Sequence, residues 1–148
     1  MDYAALQAGR VSVARQVYFV TIVTHQRQPW FADFFAARIV VNELRRLNDT
    51  HMAESMAWVI MPEHIHWLMV LGTTRSLSVA VKILKGRSAR ALGLAALGGT
   101  VWQRSFYDHA VRREEELRSL ARYIVMNPLR RGLVRRIGDY PHWDAIWL

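Results

Sequence analysis

The stretch Met61 to Leu71, MPEHIHWLMVL, constrains this chain most. Pro62 and Glu63 read as a turn. From His64 onward, an extended strand sends alternate side chains to opposite faces. His64 and His66 then share one face, with Ile65 and Trp67 on the other. Two imidazoles side by side on a rigid strand can hold one divalent ion. The spacing alone favours an ordinary hydrogen-bonded pair on a half-exposed sheet, because metal ligands come in sets of three or more. A third ligand must come from another part of the fold.

The flanking segments supply that fold. Val17 to Thr24, VYFVTIVT, is rich in β-branched and aromatic residues and reads as a strand. Asp33 can cap a helix to about Asn48, with Phe35, Ile39, Val40, Leu44 and Leu47 near helical spacing. Glu54 to Met61 and His64 to Leu71 form a hairpin. Ser76 starts a second helix, and the Gly- and Ala-rich segment from Leu92 to Thr100 is a helix end and flexible connection. Val101 to Val111 is extended or an irregular strand. A third helix runs from about Arg113 to Asn127, where Pro128 should end it. This order fits a ferredoxin-like α+β domain: a split βαβ antiparallel sheet with helices on one face and an added C-terminal helix. Residues 1–148 read as a single domain, with 1–16 an irregular arm and 129–148 a tail that packs back.

At 148 residues, 52% of them apolar, the chain is long enough for a real core. It has no cysteine, which excludes disulfides, thiolate metal sites and a cysteine nucleophile. A net charge of +8 favours a polyanionic partner, nucleic acid before an anionic membrane surface. No apolar run approaches the ~20 residues of a membrane helix, and no signal peptide is visible, so a cytoplasmic protein is expected.

The third helix offers the missing chemistry. Tyr123 and Asn127 are i and i+4, about 40° apart around the helix. They border a stripe formed by Leu117, Leu120, Ile124 and Val125. A tyrosine there can attack phosphorus, although an unperturbed phenol ionises only near pH ~10 and needs nearby positive charge or metal. The Asn127 side-chain oxygen suits a hard ion such as Mg²⁺ or Mn²⁺. Taken singly, Tyr123 is an ordinary border tyrosine and Asn127 a common helix-stop residue. With His64 and His66 the set is more specific than its parts.

These residues resemble a known family. HIH is a histidine–hydrophobe–histidine (HUH) motif, and the stretch VWQRSFYDHAVRREEELRSLARYIVMNPLRRGLV is similar to that of REP-associated tyrosine transposases, relatives of the single-tyrosine transposases of small bacterial insertion sequences. The likeness covers most of the chain from Val17 onward. It implies that His64, His66 and Asn127 bind a divalent ion, Mg²⁺ or Mn²⁺, and that Tyr123 attacks a phosphate in single-stranded DNA. The implied product is a 5′-phosphotyrosine link with a free 3′-hydroxyl, which a later 3′-hydroxyl can resolve without a nucleotide cofactor. The implied substrate is a short palindromic DNA hairpin with a flanking single strand. The REP-associated branch favours a monomer, and the simpler insertion-sequence relatives an active-site-sharing homodimer.

Basic residues are candidates for phosphate contacts that position DNA without reading it. They are Lys82, Lys85, Arg87 and Arg90 on the second helix, then Arg112, Arg113, Arg130 and Arg131. Trp30, Trp102 and Phe106 are candidates for stacking on unpaired bases, with core packing favoured for most aromatics. Glu63 reads as a turn residue before a second role beside the metal. His25 is a remote candidate, and His109 and His142 receive no metal role. Two other readings stay open: a hairpin-binding protein without catalysis, and a metal phosphoesterase in which the histidines activate water.

Overall fold

The computed structural model describes residues 12–93 and 100–147. Five strands form one antiparallel sheet: β1 (Val17–Val23), β2 (Ala53–Met61), β3 (His64–Leu71), β4 (Tyr107–Val111) and β5 (Trp143–Ala145). Their spatial order is β4-β1-β3-β2-β5. Three helices complete the fold: α1 (Phe34–Asp49), α2 (Leu77–Leu92) and α3 (Glu114–Arg130). The expected α+β architecture is present, with β3 in the centre of the sheet.

The sheet has two cores because both of its faces are covered. Tyr18, Val20 and Ile22 of β1 join Ile65, Trp67 and Met69 of β3 under α1 and α2. On the opposite face, Val59, Met61 and Leu68 pack with Ala121, Ile124 and Val125 of α3. His64 and His66 share the parity of Leu68, so they face α3. Register on β2 shifts at Ser55 to Ala57, where one extra residue lets Ala53 and Trp58 reach the same core despite opposite parity.

Helix starts follow their caps. Asp33 accepts from the Ala36 amide and Ser76 from the Val79 amide. The C-terminal limit of α3 departs from the sequence reading. The helix does not stop at Asn127; it continues through Pro128 to Arg130. A proline in the last turn removes only one helical donor. The end is made by Gly132 in left-handed conformation, with the Leu133 amide donating to the Pro128 carbonyl and Gly132 to Leu129.

The tail returns to the sheet. β5 pairs with β2, and the Tyr140 hydroxyl donates to the Ile60 carbonyl at 2.5 Å. Residues 1–11 of the expected arm and 94–99 of the Gly/Ala-rich segment lie outside the described residues. Among the described residues, no helix is long and apolar enough to cross a membrane.

Candidate active site

The turn Pro62-Glu63 brings β3 to its first residue, His64. The turn is held from the end of β1, because the amide of Thr24 donates to the Glu63 carbonyl at 2.9 Å, while its hydroxyl donates to the Gln28 carbonyl at 2.8 Å. Antiparallel pairing then sets Val23 opposite His64 and Thr21 opposite His66. The two imidazoles are buried, with ring centroids 4.6 Å apart.

Each Nδ1 atom is engaged. His64 Nδ1 lies 2.9 Å from Glu63 Oε1, and His66 Nδ1 lies 2.9 Å from Thr21 Oγ1. Neither Nε2 atom has a hydrogen-bond partner among the described residues. Burial pushes His64 below the ordinary imidazole value, outweighing the opposite pull of Glu63. Burial, then the charges of His64 and Arg130, pushes His66 down to about 3. Both rings are therefore neutral at pH 7.

Helix α3 lies across this face. Tyr123 is 44% exposed, and its ring meets His66 at 5.3 Å and Phe19 at 6.3 Å between centroids. Phe19 stacks on His66 at 5.4 Å, so the three rings form one group. The Arg130 guanidinium sits 4.3 Å over the Tyr123 ring and donates to its backbone carbonyl, leaving the hydroxyl outside that contact. Two turns after Tyr123, Arg131 Nη1 donates to Glu63 Oε1 at 2.7 Å. The helix is thus pinned to His66 at one point and to Glu63 at another. Asn127 lies midway between them on the same helix side, 6% exposed. Its side chain makes no hydrogen bond among the described residues.

Burial raises the Glu63 carboxyl, but hydrogen bonds from Arg131 and His64 outweigh it and leave the group below its usual value. The same hydrogen bond raises Arg131. An ionised carboxylate only accepts, so His64 Nδ1 must carry the hydrogen. His64 then keeps its Nε2 lone pair free.

The structure brings His64, His66 and Tyr123 into ring contact, adds Glu63, Thr21 and Phe19, which sequence reading missed or ranked low, and buries Asn127 one turn beyond Tyr123 on the same helix. Glu63 was legible only as a neighbour in sequence. Thr21 needed the strand register. The proposed DNA contacts divide. Arg130 and Arg131 flank the site, but Arg131 is committed to Glu63. Lys85 Nζ donates to the carbonyls of Gln103 and Ser105 at 2.8 and 2.9 Å, so it staples α2 to the following segment. Burial pushes its amine down to about 8. Arg87 pairs with Glu43 at 2.9 Å. Lys82, Arg90, Arg112 and Arg113 make no ion pair among the described residues. Trp102 and Phe106 belong to the core, with Trp102 donating to Ser88, and Trp30 packs against it. His25 is exposed in the turn after β1, and His142 packs against Phe34 and Tyr140.

Among the described residues, no three of His, Cys, Asp and Glu gather as a metal cluster. A metal here would need the amide oxygen of Asn127.

Comparison with known proteins gives the same direction. Residues 12–127 match the family model described as "Transposase IS200 like". A REP-associated tyrosine transposase of Escherichia coli is 33% identical over 90 residues, 60% of this chain and 52% of that protein. A Haemophilus influenzae protein carrying the same name provisionally is 28% identical over 142 residues, 85% of this chain and 77% of that one. The match thus spans about half the length of the Escherichia coli relative. The solved structure of a REP-associated tyrosine transposase bound to a REP hairpin has the same fold, with a TM-score of 0.78 at 24% identity over 90% of this chain and 79% of that one. With the family model covering most of its length, including His64, His66, Tyr123 and Asn127, this chain belongs to the IS200-like transposases.

Proposed function

We propose that the protein cleaves and rejoins single-stranded DNA at palindromic, REP-like hairpins, using Tyr123 as nucleophile and a divalent ion bound by His64, His66 and Asn127. The observation that carries this reading is the position of Tyr123: a half-exposed phenol in ring contact with His66, whose Nε2 is unpaired.

The residues fit a divalent ion. Glu63 leaves the His64 Nε2 lone pair free, His66 offers its own when Thr21 Oγ1 accepts from Nδ1, and Asn127 adds the amide oxygen of a buried residue. Such a neutral nitrogen–oxygen set leaves room for phosphate oxygens, and Mg²⁺ or Mn²⁺ is the natural choice. Bound there, the ion would polarise a non-bridging phosphate oxygen.

The chain's own groups supply the rest. The Tyr123 oxygen attacks phosphorus, forming a Tyr–O–P bond. The phenol gives up its proton to solvent, the bond from phosphorus to the 3′ oxygen breaks, and that oxygen takes up a proton to leave as a 3′-hydroxyl. A later 3′-hydroxyl attacks the same phosphorus and frees the tyrosine, so no nucleotide cofactor is required. Arg130, stacked on the attacking ring, is positioned to meet the incoming phosphate. Phe19 and the main chain of α3 hold the phenol in place. Tyr123 and both histidines meet within one chain, which supports a monomer with a complete site.

The hairpin substrate rests on the resemblance to the relative solved with a REP hairpin and on the net charge of +8. The test is a denaturing gel of end-labelled hairpin DNA incubated with protein, with Mn²⁺ or with chelator. A metal-dependent DNA band that carries protein is expected. Cleaved DNA without attached protein would replace this reading with water-activating phosphoesterase chemistry. Binding without cleavage of several hairpins in either metal would replace it with a hairpin-binding module.

A further inference from the structure

The Glu63 carboxylate has an unusual placement for a turn residue. A turn carboxylate ordinarily points to water. Glu63 is only 8% exposed, and one of its oxygens, Oε1, takes hydrogen bonds from two directions. One comes from His64 Nδ1 on the strand at 2.9 Å, the other from Arg131 Nη1, just past the C-terminal end of α3, at 2.7 Å. Its backbone is fixed as well, through the bond from the Thr24 amide to its carbonyl at 2.9 Å. An exposed ion pair would contribute little. Here the carboxylate side is withdrawn from solvent and shared with an imidazole, while the Arg131 side chain is 46% exposed.

We infer that Glu63 is a positioning residue: it locks His64 in the tautomer that presents Nε2 to the ion and, through Arg131, ties the helix carrying Tyr123 and Asn127 to that same histidine. The inference rests on the metal reading of His64 given above.

The chemistry has two parts. A carboxylate can only accept, so Nδ1 is the protonated nitrogen of His64 and Nε2 the ligating one. A carboxylate partner also makes the imidazole a better donor to a metal. The second part is mechanical. Arg131 follows Tyr123 by eight residues and Asn127 by four, so the three lie on one side of α3. With Arg131 held by Glu63 and Tyr123 against His66, neither rotation nor sliding of the helix is free. Ligands from the strand and from the helix are thereby set in register before DNA arrives.

Two measurements test this on the whole protein without DNA. The first needs no variant. Long-range ¹H–¹⁵N spectra of the metal-free protein report which ring nitrogen of His64 carries the hydrogen. Protonated Nδ1 is expected, and protonated Nε2 overturns the inference. The second is Mn²⁺ titration of Glu63→Gln, Arg131→Ala and His64→Ala, with far-ultraviolet circular dichroism to check folding. Glu63→Gln should weaken Mn²⁺ binding by about 10- to 100-fold and mix the His64 tautomers, because an amide both donates and accepts. Arg131→Ala should weaken it less and leave the tautomer unchanged.

The outcomes separate the two layers. If His64→Ala binds Mn²⁺ like the wild type, the metal reading itself fails. If His64→Ala loses binding while Glu63→Gln binds normally, the role of Glu63 is overturned and the metal reading stands. If Glu63→Gln loses affinity with the His64 tautomer unaltered, Glu63 acts by another route, such as binding the ion directly, and the inference is again overturned. Should Glu63→Gln fail to fold, the tautomer of the wild type still decides.

Discussion

The ring of Tyr123 lies 5.3 Å from that of His66, centroid to centroid, although the two residues belong to elements on opposite sides of one packed layer. Phe19 touches both rings and closes the group from β1. A phenol placed so is supported at its ring and open at its hydroxyl.

Removing that hydroxyl should therefore cost function and not folding. The Tyr123→Phe variant keeps every ring contact. Its thermal midpoint should stay within about 2 °C of the wild type, as for other surface substitutions. DNA cleavage should fall by more than about 1,000-fold, as expected for loss of a nucleophile. Thermal melting and the cleavage gel check the two halves. Retained cleavage would remove Tyr123 from the chemistry.

Asn127→Ala separates a ligand from a helix-stop residue. Asn127 sits inside α3, and its side chain makes no hydrogen bond among the described residues. Alanine is the better helix former. The variant should fold at least as well as the wild type in urea titration, yet bind Mn²⁺ at least about 10-fold more weakly if the amide oxygen is a ligand. Unchanged Mn²⁺ affinity would reduce the site to the two histidines.

Gly72 carries a structural prediction. It ends β3, where its amide donates to the Met52 carbonyl at 2.9 Å. A Cβ there would come within 2.1 Å of the His51 carbonyl oxygen and 2.9 Å of that of Met52. Backbone cannot yield as a side chain does, so Gly72→Ala should lose more than about 2 kcal/mol. Chemical denaturation measures it, and a loss under about 0.5 kcal/mol would contradict the packing described.

Tyr140 gives a pH dependence. Burial, then the Glu63 charge, pushes its phenol up to about 12, while Arg131 pulls the other way. In the unfolded chain the phenol returns to about 10. A raised folded value means the stabilisation is complete below pH ~10 and is lost as pH rises through 12. Wild type should thus lose stability faster than Tyr140→Phe across that window, by on the order of 1 kcal/mol per pH unit. Below pH 9 the order reverses in favour of the wild type, by about 1 kcal/mol, because its hydroxyl bonds the Ile60 carbonyl. Denaturation curves at pH 8 to 11 decide.

Much of this arrangement is legible in the sequence where one local rule acts alone. The alternation from His64 to Leu71 marks β3 to the residue. Asp33 and Ser76 announce α1 and α2 because capping is local chemistry. Tyr123 and Asn127 are legible from their i, i+4 spacing at the border of the apolar stripe of α3, and the family likeness adds the roles expected of them. Other features needed the folded chain. β5 is three residues long and too short for a period to register. Pro128 signalled a stop that Gly132 in fact makes, since a proline in the last turn removes a single donor. Glu63 was visible beside His64, but its partner Arg131 lies 68 residues away and arrives only when α3 crosses the sheet. Lys85 looked like a DNA contact until its two carbonyl partners were placed.

The proposed chemistry turns on which atom of the protein becomes joined to DNA. Protein incubated with hairpin DNA and Mn²⁺, then digested with nuclease and protease, can be mapped by mass spectrometry. A nucleotide attached through its 5′ phosphate to the peptide containing Tyr123 is the predicted result. Attachment at another tyrosine, such as the exposed Tyr107 of β4, or cleaved DNA with no modified peptide, would contradict it.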